Sequence, residues 1–85
     1  MGPELEMRLA ERFPGAAIQW VDESHHHAGH AGAQGGGAHL KLKIVHAQFS
    51  GLSRVARHRL VYDAVSDWMP HRIHALSVQA LSPEE

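Results

Sequence analysis

Cysteine is absent from the 85 residues, so neither a disulfide framework nor a thiolate metal site can come from this chain alone. No apolar run approaches the ~20 residues that a membrane span requires. The N-terminal stretch "MGPELEMRLAERF" carries charges at helical spacing and lacks the apolar core of a signal peptide. An excess of charge of one sign is missing too: the formal net charge is −1, so no global basic field draws in nucleic acid. Together these absences predict a cytoplasmic protein with no membrane role. The length allows one small domain over residues 1–85, burying roughly 60–65% of its unfolded surface.

Histidine is what the chain has in abundance. If all nine were protonated the net charge would move from −1 to +8, and imidazole titrates near physiological pH. Four of them fall in "DESHHHAGH", residues 22–30, ahead of a glycine-rich run.

Hydrophobic spacing predicts the elements. Leu5, Leu9 and Phe13 recur every four residues, which predicts a helix over Pro3–Phe13, stopped by Pro14 and Gly15. Ile18 and Trp20 share a parity, so "AAIQWVDE" reads as a strand. Residues 24–38 contain no large apolar side chain and read as a long mobile loop, the kind that is functional or disordered.

In "AHLKLKIVHAQF", Leu40, Leu42 and Ile44 alternate with Lys41 and Lys43, the mark of a strand buried on one face. Val61, Ala64, Val65 and Trp68 follow helical spacing, predicting a helix from Ser53, a suitable cap, to about Met69. "RIHALSVQA" reads as a last strand, with His74, Leu76 and Val78 on its core-facing parity. The order α-β-β-α-β predicts an α+β domain with its helices on one face of a three-stranded mixed sheet.

Catalysis finds little support. Ser24 beside His25 has the composition of a nucleophile and base, but a glycine-rich loop offers no rigid triad geometry. "GAQGGGAH" lacks the Lys-Ser/Thr of a phosphate loop. The chain is not expected to be an enzyme.

Metal ligation is the stronger chemistry, because neutral imidazole is a common ligand for Fe, Zn, Ni and Cu. His25, His26, His27 and His30 lie on the loop, and His39 opens the next strand. They read either as ligands, even as a self-sufficient metal buffer, or as a solvated connector. His74, on a strand, reads either as a partly buried histidine with a backbone partner or as a rigid ligand that a loop imidazole can meet.

A third signal is "SRVARHR". Arg54, Arg57 and His58 share a helix face near the N-terminus, where cations oppose the macrodipole. An anionic partner, either a phosphate backbone or an acidic protein surface, would explain them; a merely solvated basic turn is the alternative.

The stretches "DESHHHAGHAGA", "AHLKLKIVHAQFSGLSRV", "RHRLVYDAV" and "IHALSVQALSPEE" resemble the BolA family, with "RHRLVY" followed by "IHALS" as the specific signature. The resemblance covers nearly the whole chain and implies a class II KH-like fold. It implies two roles. One is pairing with a monothiol glutaredoxin to share a [2Fe–2S] cluster, in iron–sulfur trafficking or iron sensing. The other is DNA-binding transcriptional regulation of morphology and stress responses.

By that resemblance, His74 matches the ligand of the final strand and His27 the loop ligand, with His39 in reserve. The glutaredoxin cysteine and glutathione complete the set, so the isolated chain is expected to hold no cluster and to be a monomer or weak homodimer. For DNA or a partner, the basic set is Arg54, Arg57, His58, Arg59, Lys41 and Lys43. Two departures stand out: Leu40 occupies a position that is commonly aromatic in the family, and "FSGLSRV" has a single glycine where a nucleic-acid-binding KH loop has a pair.

Overall fold

A computed structural model describes residues 2–23 and 37–85. Helix α1 (Gly2–Arg12) leads into strand β1 (Ala17–Asp22); β2 (Ala38–Val45), α2 (Arg54–Ala64) and β3 (Ile73–Leu81) follow. The sheet order is β1-β2-β3, antiparallel between β1 and β2 and parallel between β2 and β3. This is the predicted two-layer α+β arrangement, with a mixed three-stranded sheet.

Alternation in β2 sets the two sides of the sheet. Leu40, Leu42 and Ile44 are at most 2% exposed and face the helices, while Lys41 and Lys43 project from the other face. Leu5 and Leu9 of α1, Val61 and Ala64 of α2, and Ile73, Leu76 and Ala80 of β3 close the same core.

Two predicted elements end early, for identifiable reasons. Strand β2 stops at Val45 because His46 turns the chain. Its Nδ1 accepts from the Gln48 backbone N–H at 3.1 Å, and its Nε2–H donates to the Pro14 carbonyl at 2.8 Å. That caps a 3₁₀ turn, Ala47–Phe49, which drives Phe49 wholly into the core. Helix α2 begins after Ser53, whose hydroxyl accepts from the Ala56 N–H at 3.1 Å as a cap should. It ends at Ala64, short of Met69; a 3₁₀ turn, Ser66–Trp68, keeps Trp68 on the core through tighter winding.

The first strand of contact between β2 and β3 is irregular. Ala38 pairs with Ile73, but His39 pairs with Ala75, so β3 carries one extra residue, His74. The bulge explains why Ile73 and Leu76, three apart, are both buried. It also corrects the strand reading: His74 is exposed and does not belong to the core-facing row.

Helix α2 also secures the outer edge of β3. Tyr62 donates its hydroxyl to the Leu76 carbonyl, and Arg57 Nη1 donates to the Ala80 carbonyl at 2.9 Å. No helix among the described residues is long and apolar enough to cross a membrane.

Candidate functional site: a histidine pair at the end of the sheet

His39 and His74 meet where β2 and β3 begin. Their ring centroids lie 5.3 Å apart with planes inclined at 34°. His39 comes from the outward parity of β2, half-buried; His74 comes from the bulge of β3, exposed. Strand geometry places the first ring and a one-residue irregularity aims the second, so neither depends on a long side chain finding its own orientation.

Gly37 backs the pair. Its φ is +85°, in the left-handed region, and a Cβ built there would lie 2.9 Å from the His71 carbonyl oxygen and 3.0 Å from His74 Cβ. Both the dihedral and the space demand glycine. The following N–H, of Ala38, donates to the Arg72 carbonyl at 2.8 Å, and the Glu23 N–H donates to the His39 carbonyl at 2.7 Å. The backbone around both imidazoles is therefore tied on either side.

Arg72, two residues before His74, is held in its turn. It pairs with Glu4 at 2.8 Å and lies over the Trp68 ring at 5.2 Å, while Arg8 sits over the same ring at 4.2 Å and pairs with Asp67 at 2.6 Å. These guanidinium hydrogen bonds hold the Glu4 and Asp67 carboxyls below their ordinary titration range. The stack links α1, the turn after α2 and the start of β3. Sequence reasoning missed it, because cation–aromatic stacking across 64 residues, from Arg8 to Arg72, leaves no local pattern.

No group of three or more His, Cys, Asp or Glu suited to a metal occurs among the described residues. His39 and His74 are a pair of donors, enough for part of a coordination sphere. His27, with His25, His26 and His30, lies outside the described residues.

The basic set divides. Lys41 and Lys43 project from the open face of the sheet, whereas Arg54 and Arg59 are exposed on α2, in the helical layer. Arg57 is only 11% exposed and serves the fold. Its Nε donates to the Leu52 carbonyl at 3.0 Å, and its guanidinium grips the Glu85 carboxylate at 2.6 and 3.0 Å. This hydrogen-bonded grip lowers the Glu85 pKa to about 2, and Glu85 also accepts from the Ser82 N–H at 2.8 Å. His58 is half-buried beside Tyr62, at a centroid distance of 6.3 Å, and lines a concavity of about 540 Å³ against Val78 and Gln79. The six residues do not form one surface.

A small αββαβ domain with a mixed sheet, a histidine pair at one end and arginines on its second helix defines the class: a KH-like α+β module. The profile of the BolA-like protein family matches residues 9–85, and the chain belongs to that family. The structure of BolA1 from Arabidopsis thaliana superposes with a TM-score of 0.82 at 32% identity, covering 99% of this chain and 93% of that one. SufE-like protein 1 of the same plant is 37% identical over 99% of this chain, which spans 24% of that protein's length. The protein named DNA-binding transcriptional regulator BolA in Haemophilus influenzae is 31% identical over 95% of this chain and 76% of its own.

Proposed function

We propose that this chain is a cytoplasmic iron–sulfur adaptor that pairs with a monothiol glutaredoxin and contributes histidines to a shared [2Fe–2S] cluster, for trafficking or for iron and redox sensing. The observation that carries this reading is the exposed His74, set out by a strand bulge within 5.3 Å of His39. The donor chemistry fits: two imidazoles supply part of a sphere, and a chain without cysteine must take its sulfur ligands from glutaredoxin and glutathione. His27 and His39 are the alternatives for the second ligand. Imidazole in place of thiolate removes negative charge from a cluster and raises its potential. Because only neutral imidazole ligates, mild acid favours release.

Mixing the protein with a monothiol glutaredoxin, glutathione and reconstituted cluster is expected to change the visible absorption and circular dichroism. His74→Ala abolishes that change, and whichever of His27→Ala and His39→Ala weakens it names the second ligand. Spectra indifferent to His74→Ala refute the assignment.

A second reading is DNA-binding regulation. Arg54 and Arg59 have no carboxylate partner among the described residues, and the similar Haemophilus protein carries that role in its name. Phosphate contacts of this kind give an affinity that falls steeply with salt. The division of the basic residues between two sides, and a net charge of −1, weigh against it. A gel-shift titration with no salt-dependent complex at micromolar protein disposes of this reading.

A further inference from the structure

Helix α2 is apolar on two sides, and the fold uses one. Val61 and Ala64 are buried against the core. On the far side Leu52, Val55 and Leu60 are 37%, 62% and 36% exposed, three of the chain's exposed large apolar side chains gathered in one place. Val55, Ala56, Arg59 and Leu60 share one face of the helix, and with Leu52, just before the cap Ser53, the aliphatic members form a short stripe turned toward solvent. The same residues and Ser53 line a shallow concavity of about 410 Å³. Exposed apolar patches of this organisation mark interaction surfaces.

Charge indicates what would fill it. Arg8, Arg57 and Arg72 each hold a carboxylate, at 2.6, 2.6 and 2.8 Å. Arg54 and Arg59, beside these aliphatic side chains, form no ion pair among the described residues, not even with Asp63 one turn beyond Arg59. No acidic residue stands in the first turn of α2, so Arg54 faces the positive end of the helix without compensation. Of the five lysine and arginine cations without an ion pair among the described residues, these two lie beside the exposed Leu52, Val55 and Leu60.

We propose that this face of α2 is a docking site for an acidic amphipathic segment of a partner protein. Aliphatic side chains of that segment fill the Leu52–Val55–Leu60 concavity while its carboxylates meet Arg54 and Arg59, the helix-in-groove mode of recognition with charge setting the register. A nucleic-acid phosphate chain would satisfy the arginines and leave the aliphatic stripe in water. The inference goes beyond the cluster reading, since neither His39 nor His74 takes part.

The test is an NMR titration of the full chain, labelled with ¹⁵N, using two synthetic helical peptides with identical leucine spacing, one flanked by glutamates and the other by lysines. The glutamate peptide is expected to shift the Val55, Arg59 and Leu60 amides saturably, and the lysine peptide to leave them unmoved. Val55→Glu and Arg59→Glu, at exposed positions that leave the fold intact by circular dichroism, should each weaken binding about tenfold or more. Arg12→Glu and His74→Ala should bind as the parent does, which separates failure here from failure of the cluster reading. No saturable shift at these amides, or equal binding of both peptides, overturns the proposal. So does self-association that Val55→Glu abolishes, which would make a second copy the occupant. Duplex oligonucleotide binding lost in Arg59→Glu but kept in Val55→Glu, with no peptide binding, overturns it in favour of phosphate.

Discussion

Gly37 lies directly against His74: a Cβ at residue 37 would come within 3.0 Å of the histidine's own Cβ, and φ there is +85°. The glycine thus belongs to the site although it carries no functional group. Gly37→Ala meets both a clash with backbone at 2.9 Å and an unfavourable dihedral, of order 1–3 kcal/mol from the dihedral alone. We expect a lowered urea midpoint together with a displaced His74 ring, read as altered imidazole proton shifts and weakened cluster spectra with glutaredoxin. Unchanged His74 resonances would show that the ring does not depend on its glycine.

The Arg57–Glu85 grip gives stability a pH dependence of definite sign. The Glu85 pKa falls from its ordinary 4.5 to about 2 in the fold, so the contribution is fully present above pH 4.5 and is lost as pH drops toward 2. Glu85→Gln is expected to unfold at lower urea than the parent at pH 7, with the two converging as pH approaches 2. A constant difference across that range would assign the effect to something other than ionisation.

Arg54 and Arg57 stand one turn apart, yet their substitutions should separate. Arg57→Ala strips donors from the Leu52 and Ala80 carbonyls and the partner from Glu85, and lowers the thermal midpoint. Arg54→Ala does not lower the midpoint and can raise it slightly, because the side chain makes no ion pair among the described residues and opposes the helix dipole. Equal effects on melting would contradict this division of labour.

Phe49 is fully buried and packs against Phe13 at a ring distance of 5.3 Å. Phe49→Ala should cost about 3–5 kcal/mol by denaturant unfolding, the usual loss for an aromatic cavity. His46→Ala, which removes the cap that turns Phe49 inward, should cost a smaller part of this, about 1 kcal/mol. A larger loss for His46 than for Phe49 would reverse the proposed order of cause.

Much of the architecture is legible because its signals are local. The alternation of Leu40, Leu42 and Ile44 with two lysines shows a half-buried strand, and Ser53 shows where α2 starts. Element ends are less legible where periodicity continues through a change of winding, as from Ala64 to Trp68. The orientation of His74 is not legible at all by parity: a bulge is set by pairing with another strand, and period-two reading assumes there is none. The nearness of His39 to His74 is likewise a tertiary fact, carried by parallel pairing across residues far apart in sequence. Arg57 looked like surface charge beside Arg54 and His58; its partners, Ala80 and Glu85, come from the other end of the chain.

The bonds from Tyr62 to the Leu76 carbonyl and from Arg57 to the Ala80 carbonyl have a consequence for assembly. They occupy two of the acceptors along which another chain would lengthen the sheet beside β3. That border of the molecule is fenced by its own helix, so a fourth strand has its open route at β1, and partners on the β3 side must approach by their side chains.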